Sequence, residues 1–424
     1  MNNKTFFLNV FGNTLLKVIT FGVSLILIPL ILKIYGKEIA GIWFTVVATI
    51  TTILNTDFFG LNNTLRNRLA IEHSNKENQK REIHRYFNAG IVVSILLFII
   101  GSVLIGFIDY YTLSLWLVYS ILFLCCYFFI PKIVVSFLNY EEKTFMATAT
   151  LVLPNVLFLI LFYFISSGGD KNIPLGIGLL LYSLSYCIPV TIFFFLFLKK
   201  DNQFNVNISI PNVSSFTTII REGFPFFSYQ IMFLLLTSFN EIFFALSYGS
   251  EVVTEYQIYF RLYSLFIIAT TIISNPLWSR ISILKAENKL APIIKFNSYI
   301  IILSTLFLFF IILFNHYFSN LFFKYWLKDI VFNFDYKTGI SFSIYAYSLI
   351  LLALTTSVSN GLNKIKIQSY CFSGGFLIKL IIFTLIYLDI IKVEWCFILQ
   401  IISGLVILIS LILIYYNNKI LNYV

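Results

Sequence analysis

Five ionisable side chains lie deep inside otherwise apolar stretches of this chain: Lys17, Lys132, Glu241, Arg261 and Lys379. A charge at mid-membrane costs roughly 2.5–3.5 kcal/mol on insertion scales, so such groups persist where they meet protein, water or a ligand. Lys17 lies about nine residues from the near end of its stretch, roughly 14 Å at a helical rise of 1.5 Å per residue. Arg261 is as deep from the opposite end, Lys379 is central, and Lys132 follows Pro131 nearer an end. Lys17 and Lys379 have no acidic residue at their depth, which suits capture of an anion. Glu241 and Arg261 share a depth on successive stretches, and an ion pair between them is expected. Lys132 could serve the same anion or snorkel to the interface.

Polar neighbours fall in phase with these charges. Asn9, Asn13, Lys17, Thr20 and Ser24 are spaced by four, four, three and four residues, one face of a helix. Gln230, Thr237 and Glu241 share a face, as do Thr254, Gln257, Arg261 and Ser264. Asn13, Lys17, Thr20, Lys132, Gln257, Arg261 and Lys379 are therefore the candidate anion-binding residues. Glu241 and Asp57 are candidates for coupling or gating, Asp57 near an inner helix end where it could also cap a turn. The threonine stripe Thr45, Thr49, Thr52, Thr56 is better read as close helix packing. A softer stripe, Ser341, Tyr345, Ser348, Thr355 and Ser359, could line the same polar face.

No catalytic constellation accompanies them. The sequence has no phosphate-binding G-x-x-x-x-G-K-[ST] loop and no H-E-x-x-H, and His73, His84 and His316 are far apart. The five cysteines, Cys125, Cys126, Cys187, Cys371 and Cys396, lie in apolar segments without metal spacing. No cofactor is expected beyond a coupling ion, H⁺ or Na⁺.

The elements that carry these residues are twelve apolar stretches near 9–34, 38–60, 86–108, 113–138, 146–166, 175–198, 222–247, 252–278, 296–318, 339–360, 367–388 and 394–416. Each is long enough to cross a hydrocarbon core of about 30 Å, which takes roughly 20 helical residues. With 59% hydrophobic and 11% charged residues, the chain reads as an all-α integral membrane protein. The net charge of +10 is a matter of topology. With an even span number and both ends on one side, 18 lysines and arginines face that side and seven the other, the remaining four lying within spans. The positive-inside rule places both termini in the cytoplasm. Anionic membrane lipids are expected partners, and nucleic acid is not.

The polar run 201–221 divides the chain into an N-lobe, 1–200, and a C-lobe, 222–424, of six spans each. Six spans return the chain to the same side, so the lobes can be parallel repeats. Tyr35-Gly36 and Tyr248-Gly249 close the first span of each half. Spans 4 and 10 end in similar phrases, Phe137-Leu138-Asn139 and Gly361-Leu362-Asn363. Under that repeat spans 1, 2, 7 and 8 present their polar faces to a common cavity.

The Asn-rich opening with Pro29, the Tyr35-Gly36 turn and the run Asp57-Phe58-Phe59-Gly60-Leu61-Asn62-Asn63 leading to Arg66 and Arg68 resemble Wzx-type flippases. Asn275-Pro276-Leu277-Trp278 and Asn360-Gly361-Leu362-Asn363-Lys364 are similar to that family's phrases in the second half. These flippases translocate O-antigen and other polysaccharide units within the multidrug/oligosaccharidyl-lipid/polysaccharide (MOP) exporter superfamily. The resemblance implies two six-helix lobes around a central cavity and an undecaprenyl-diphosphate-linked oligosaccharide as substrate. It also implies movement across the bacterial inner membrane by alternating access, driven by an ion gradient, alongside the pathway's polymerase and chain-length proteins. Two other readings are a polysaccharide polymerase of that pathway and a drug or cation exporter. The longest outer gap, 316–338, is short for a catalytic domain, and buried cations are the wrong sign for cation export.

Overall fold

The structure is a computed structural model and describes residues 3–72, 75–105, 114–141, 143–167, 173–200, 213–287, 289–328, 332–362 and 364–423. Most of the expected linker, residues 201–212, lies outside the described residues, as do His73 and Asn363.

Among the described residues all regular structure is helical. The first helices are α1 (Asn3–Asn55), a 3₁₀ turn (Phe58–Gly60), α2 (Leu61–Ile71), α3 (Lys76–Ile105), α4 (Leu115–Tyr140), α5 (Thr144–Ser167) and α6 (Leu175–Lys200). There follow α7 (Val213–Thr237), α8 (Asn240–Tyr248), α9 (Ser250–Ala286), α10 (Leu290–Tyr317), α11 (Ser319–Trp326), α12 (Tyr336–Gly361), α13 (Ile365–Tyr387) and α14 (Trp395–Tyr423). Ten described helical stretches are long and apolar enough to cross a membrane. The first two apolar stretches fall on α1, which turns at Gly36, and the eighth falls on α9. The chain is a multi-pass membrane protein.

Two compact units form: residues 1–30 with 46–228, and residues 31–45 with 229–424. Each is built around one helix. In the first, α4 packs against α2, α3, α5 and α6; in the second, α12 packs against α9, α10, α13 and α14. These are spans 4 and 10, the pair whose closing phrases match. Small side chains on α12 permit the close approach: Ser341, Ser343, Ala346, Ser348, Thr355 and Ser359 are fully buried. The serines and threonine of the expected polar stripe on α12 are therefore packing. Ser341 accepts from Gln400, Ser359 bonds Asn417, and Thr355 donates to its own helix at Leu351.

The two Tyr-Gly turns adopt one conformation. Gly36 (φ 72°, ψ 177°) and Gly249 (φ 90°, ψ 170°) both need the positive φ that favours glycine. They also meet: Gly41 lies against the backbone of Ser250, and Thr254 Oγ1 donates to Lys37 O at 2.7 Å. A Tyr-Gly phrase read twice in the sequence thus marks one turn used twice.

The run Asp57–Asn63 is a second turn. Asp57 is buried, and its carboxylate accepts from the backbone N–H and side-chain amide of both Asn62 and Asn63 at 2.8–3.1 Å. Of the roles open to Asp57 in the sequence, the structure shows the cap: four donors saturate the carboxylate and fix the start of α2. The cap holds Phe59 (φ 54°) and Gly60 (φ 66°) in the left-handed region, and Gly223 of α7 packs against the Phe59–Gly60 backbone. A Cβ on Gly223 would meet the Phe59 carbonyl, so Gly223→Ala is expected to cost about 1–3 kcal/mol by overpacking. An unchanged unfolding midpoint in detergent would contradict that close approach.

Asp335 caps α12, accepting from Lys337 N, Thr338 N and Thr338 Oγ1. Although partial burial acts to raise its pKa, the Thr338 and Lys337 hydrogen bonds hold it below the usual carboxylate value. Asp335→Ala is expected to cost about 1 kcal/mol. Because the folded-state pKa is depressed, this contribution is present above the unfolded value of about 3.9 and fades as pH falls through the lower folded one. Unfolding midpoints of wild type and variant should therefore converge in acid.

Candidate functional site

The buried lysines are the clearest departure from the sequence reading. Lys132, on α4, is 8% exposed and donates from Nζ to Leu54 O at 2.6 Å and Thr56 O at 3.2 Å, the open end of α1. Its ammonium also lies 5.7 Å from the ring centres of Phe128 and Phe129. Lys379, on α13, is 1% exposed and donates to Leu235 O at 3.1 Å and Leu236 O at 2.8 Å, the end of α7. The last carbonyls of a helix have no intrahelical donor and carry the negative pole of its dipole, so an ammonium satisfies both demands. Lys285 does likewise for α12, donating to Leu362 O at 2.8 Å. Lys132 and Lys379 are thus caps of helix ends within the membrane. Each has two of its three donors committed to backbone carbonyls, a use that the sequence reading did not foresee.

Lys379 is needed because α7 and α8 form a broken span. The break at Ser238–Phe239 contains no proline; Pro225 lies inside the continuous part of α7. Side chains hold it open. Tyr345 Oη of α12 donates to Thr237 O at 2.9 Å, and Asn240 Nδ2 donates to Tyr345 Oη at 2.8 Å and Tyr256 Oη at 3.3 Å.

Glu241 starts α8 beside this break and is 7% exposed. Its Oε1 accepts from Gln257 Nε2 at 2.9 Å. The expected Glu241–Arg261 ion pair is replaced by this amide–carboxylate bond, because Gln257, one turn before Arg261 on α9, is the residue that faces the break. Among the described residues, Asn240 Oδ1, Glu241 Oε2 and Gln257 Oε1 are buried acceptors that receive no hydrogen bond. Lys379 and Arg261 both act electrostatically on Glu241. The result is a cluster of buried acceptors around one carboxylate, with two cations acting on it.

The other candidates sit less deeply. Lys17 on α1 and Arg261 on α9 are half-buried, one in each unit, and keep part of their side chains accessible at membrane depth. Thr20 turns its hydroxyl to Leu16 O of its own helix, and Asn13 Nδ2 donates to Thr144 at 3.2 Å. Both are structural contacts, and neither residue is fully buried.

A family model described as polysaccharide biosynthesis protein matches residues 7–282, more than half of the chain. The chain belongs to the polysaccharide biosynthesis protein family. Among solved structures it is similar to an inward-facing multidrug resistance MATE family transporter of the MOP superfamily, at 15% identity and TM-score 0.66, covering 97% of this chain and 95% of that one. An outward-facing MATE family transporter of that superfamily matches at 12% identity and TM-score 0.62, covering 98% and 95%. A MOP superfamily transporter from Pyrococcus furiosus, described as having a binding pocket of reversed polarity, matches at 12% identity and TM-score 0.58 over 98% and 95%. No curated protein matches the sequence. This family member therefore has a MATE-like fold.

Three residues of the family member's acceptor pocket escaped the sequence reading: Asn240, Tyr256 and Tyr345. Asn240 adjoins Glu241, and an Asn-Glu pair inside an apolar stretch was the available signal. Tyr345 appeared only in a Ser/Thr stripe, where its reach of 105 residues back to Asn240 could not be seen.

Proposed function

We propose that this protein carries an undecaprenyl-diphosphate-linked oligosaccharide repeat unit from the cytoplasmic to the periplasmic leaflet of a bacterial inner membrane, by alternating access, with both termini cytoplasmic. The observation that carries this reading is a polysaccharide-family sequence on a MOP transporter fold with a half-buried cation in each unit, Lys17 and Arg261. Fixed cations at membrane depth suit a diphosphate better than a cationic drug. The lipid tail would remain in the bilayer throughout. The chain passes between units at 30/31, 45/46 and 228/229; Pro29 and Pro225 precede the first and the third, and a missing helix hydrogen bond at each proline lets the helix flex there. Polymerase and chain-length proteins of the same pathway would take the unit on the far side.

The test is deletion of the gene, followed by localisation of lipid-linked units. Single units accumulating on the inner leaflet, with surface glycan lost, support the proposal. Accumulation on the outer leaflet points to a polymerase, and altered drug tolerance with normal glycan points to a drug exporter.

In this reading Glu241 is the coupling group, exchanging a proton or Na⁺ with the acceptor pocket at the α7–α8 break. Glu241→Gln is expected to insert and fold, since the amide keeps the shape and Lys379 keeps its two carbonyls, yet to abolish the response of export to a collapsed ion gradient. Unchanged export that still responds to uncoupler would remove Glu241 from the mechanism.

A further inference from the structure

The short helix α11 has divided faces. Ser319 and Phe323 are buried, Leu321 and Tyr325 are 54% and 72% exposed, and Lys324 is exposed. Together with Phe314 and Phe318 at the end of α10, residues Leu321, Phe322, Tyr325 and Trp326 line an almost wholly apolar groove of about 460 Å³. Its walls are held by ring contacts, Phe314 on Phe318 at 5.9 Å and Phe322 on Trp326 at 5.3 Å. Helix α11 is itself anchored, because Phe323 packs on Tyr259, Phe332 and Phe334 at 5.1–5.6 Å. The groove is thus built into the second unit.

Charge beside the groove is unusually placed. The face of the membrane that α11 occupies in the positive-inside topology carries seven of the basic residues, and Lys324, Lys328 and Lys337 are three of them. Lys337 is paired with Glu394. Lys324 and Lys328 are exposed and take no ion-pair partner among the described residues.

We propose that this groove holds one acyl chain of an anionic phospholipid, with the phosphate at Lys324 and Lys328. Tyrosine and tryptophan at the end of a span sit at headgroup level, where a chain can enter from the side while the phosphate stays at the surface. A zwitterionic lipid offers the same chain without the net charge, so the lysines set a preference of about ten-fold for the anionic lipid. The site would pin the α10–α12 connection to the interface, and it does not depend on what the protein transports.

Trp326 lines the groove and serves as the reporter. Full-length protein in detergent is titrated with phosphatidylglycerol or phosphatidylcholine carrying brominated chains, and Trp326→Phe provides the background from the other tryptophans, of which Trp116 is exposed. The Trp326 signal is expected to half-quench at about a ten-fold lower phosphatidylglycerol fraction. Lys324→Gln with Lys328→Gln should equalise the two lipids, and should also remove the rise in unfolding midpoint that phosphatidylglycerol gives the wild type. Equal quenching by both lipids in the wild type overturns the proposal, as does a preference that survives loss of both lysines. Displacement of bound phosphatidylglycerol by sub-stoichiometric polyprenyl phosphate would overturn the choice of a phospholipid.

Discussion

Lys379→Met is expected to destabilise the purified protein by about 3–5 kcal/mol, chiefly the cost of leaving two buried carbonyls unsatisfied at about 1–3 kcal/mol each. The side chain is 1% exposed and supplies both donors that reach the α7 carbonyls at Leu235 and Leu236. Methionine keeps the length and apolar stem but leaves two carbonyls unsatisfied and the Glu241 carboxylate without its balancing charge. Adding Glu241→Gln removes the carboxylate half of that penalty. The double variant should therefore be less destabilised than the sum of the singles, with a coupling of about 0.5–3 kcal/mol for residues sharing one network. Thermal unfolding followed by size exclusion in detergent measures all three. Strict additivity would show that Lys379 acts only as a helix cap.

Lys17→Ala and Arg261→Ala should divide the other way, with stability nearly unchanged and transport lost. Both side chains are half-buried, whereas Lys132 and Lys379 are buried against helix-end carbonyls. A charged hydrogen bond to a phosphate contributes about 1.5–3 kcal/mol, which corresponds to a loss of roughly 10- to 100-fold in export for each substitution. The readout is surface glycan and inner-leaflet lipid-linked units in cells complemented with each variant at matched membrane levels. Normal export by both variants would remove the charge argument from the proposed function and leave only the family and the fold.

The contrast between these two pairs was half visible in the sequence. Depth within an apolar stretch marks all four cations as costly, and Lys132 and Lys379 do meet helix-end carbonyls. Depth alone does not say which atoms each cation meets. Asp57 shows the same limit: its place before Asn62-Asn63 announced a cap, yet the left-handed Phe59–Gly60 backbone and its meeting with Gly223 became apparent only once α7 lay across the turn. Glu241 was placed at the right depth and given the wrong partner, since Gln257 and Arg261 share a helical face and only packing chose between them.

Sequence alone determined the solvent, the helical class and the doubled Tyr-Gly turn, because these depend on hydropathy over about 20 residues and on local backbone preference. Tertiary structure decided which charges are spent inside the protein. Lys132 meets its carbonyls across 76 and 78 residues of chain and Lys379 across 143 and 144. The physical reason lies in the helix itself: its period fixes the direction a side chain leaves the axis, while the atom standing opposite belongs to another helix. A span broken without proline, held open by Tyr345 and Asn240, has no signature within its own letters.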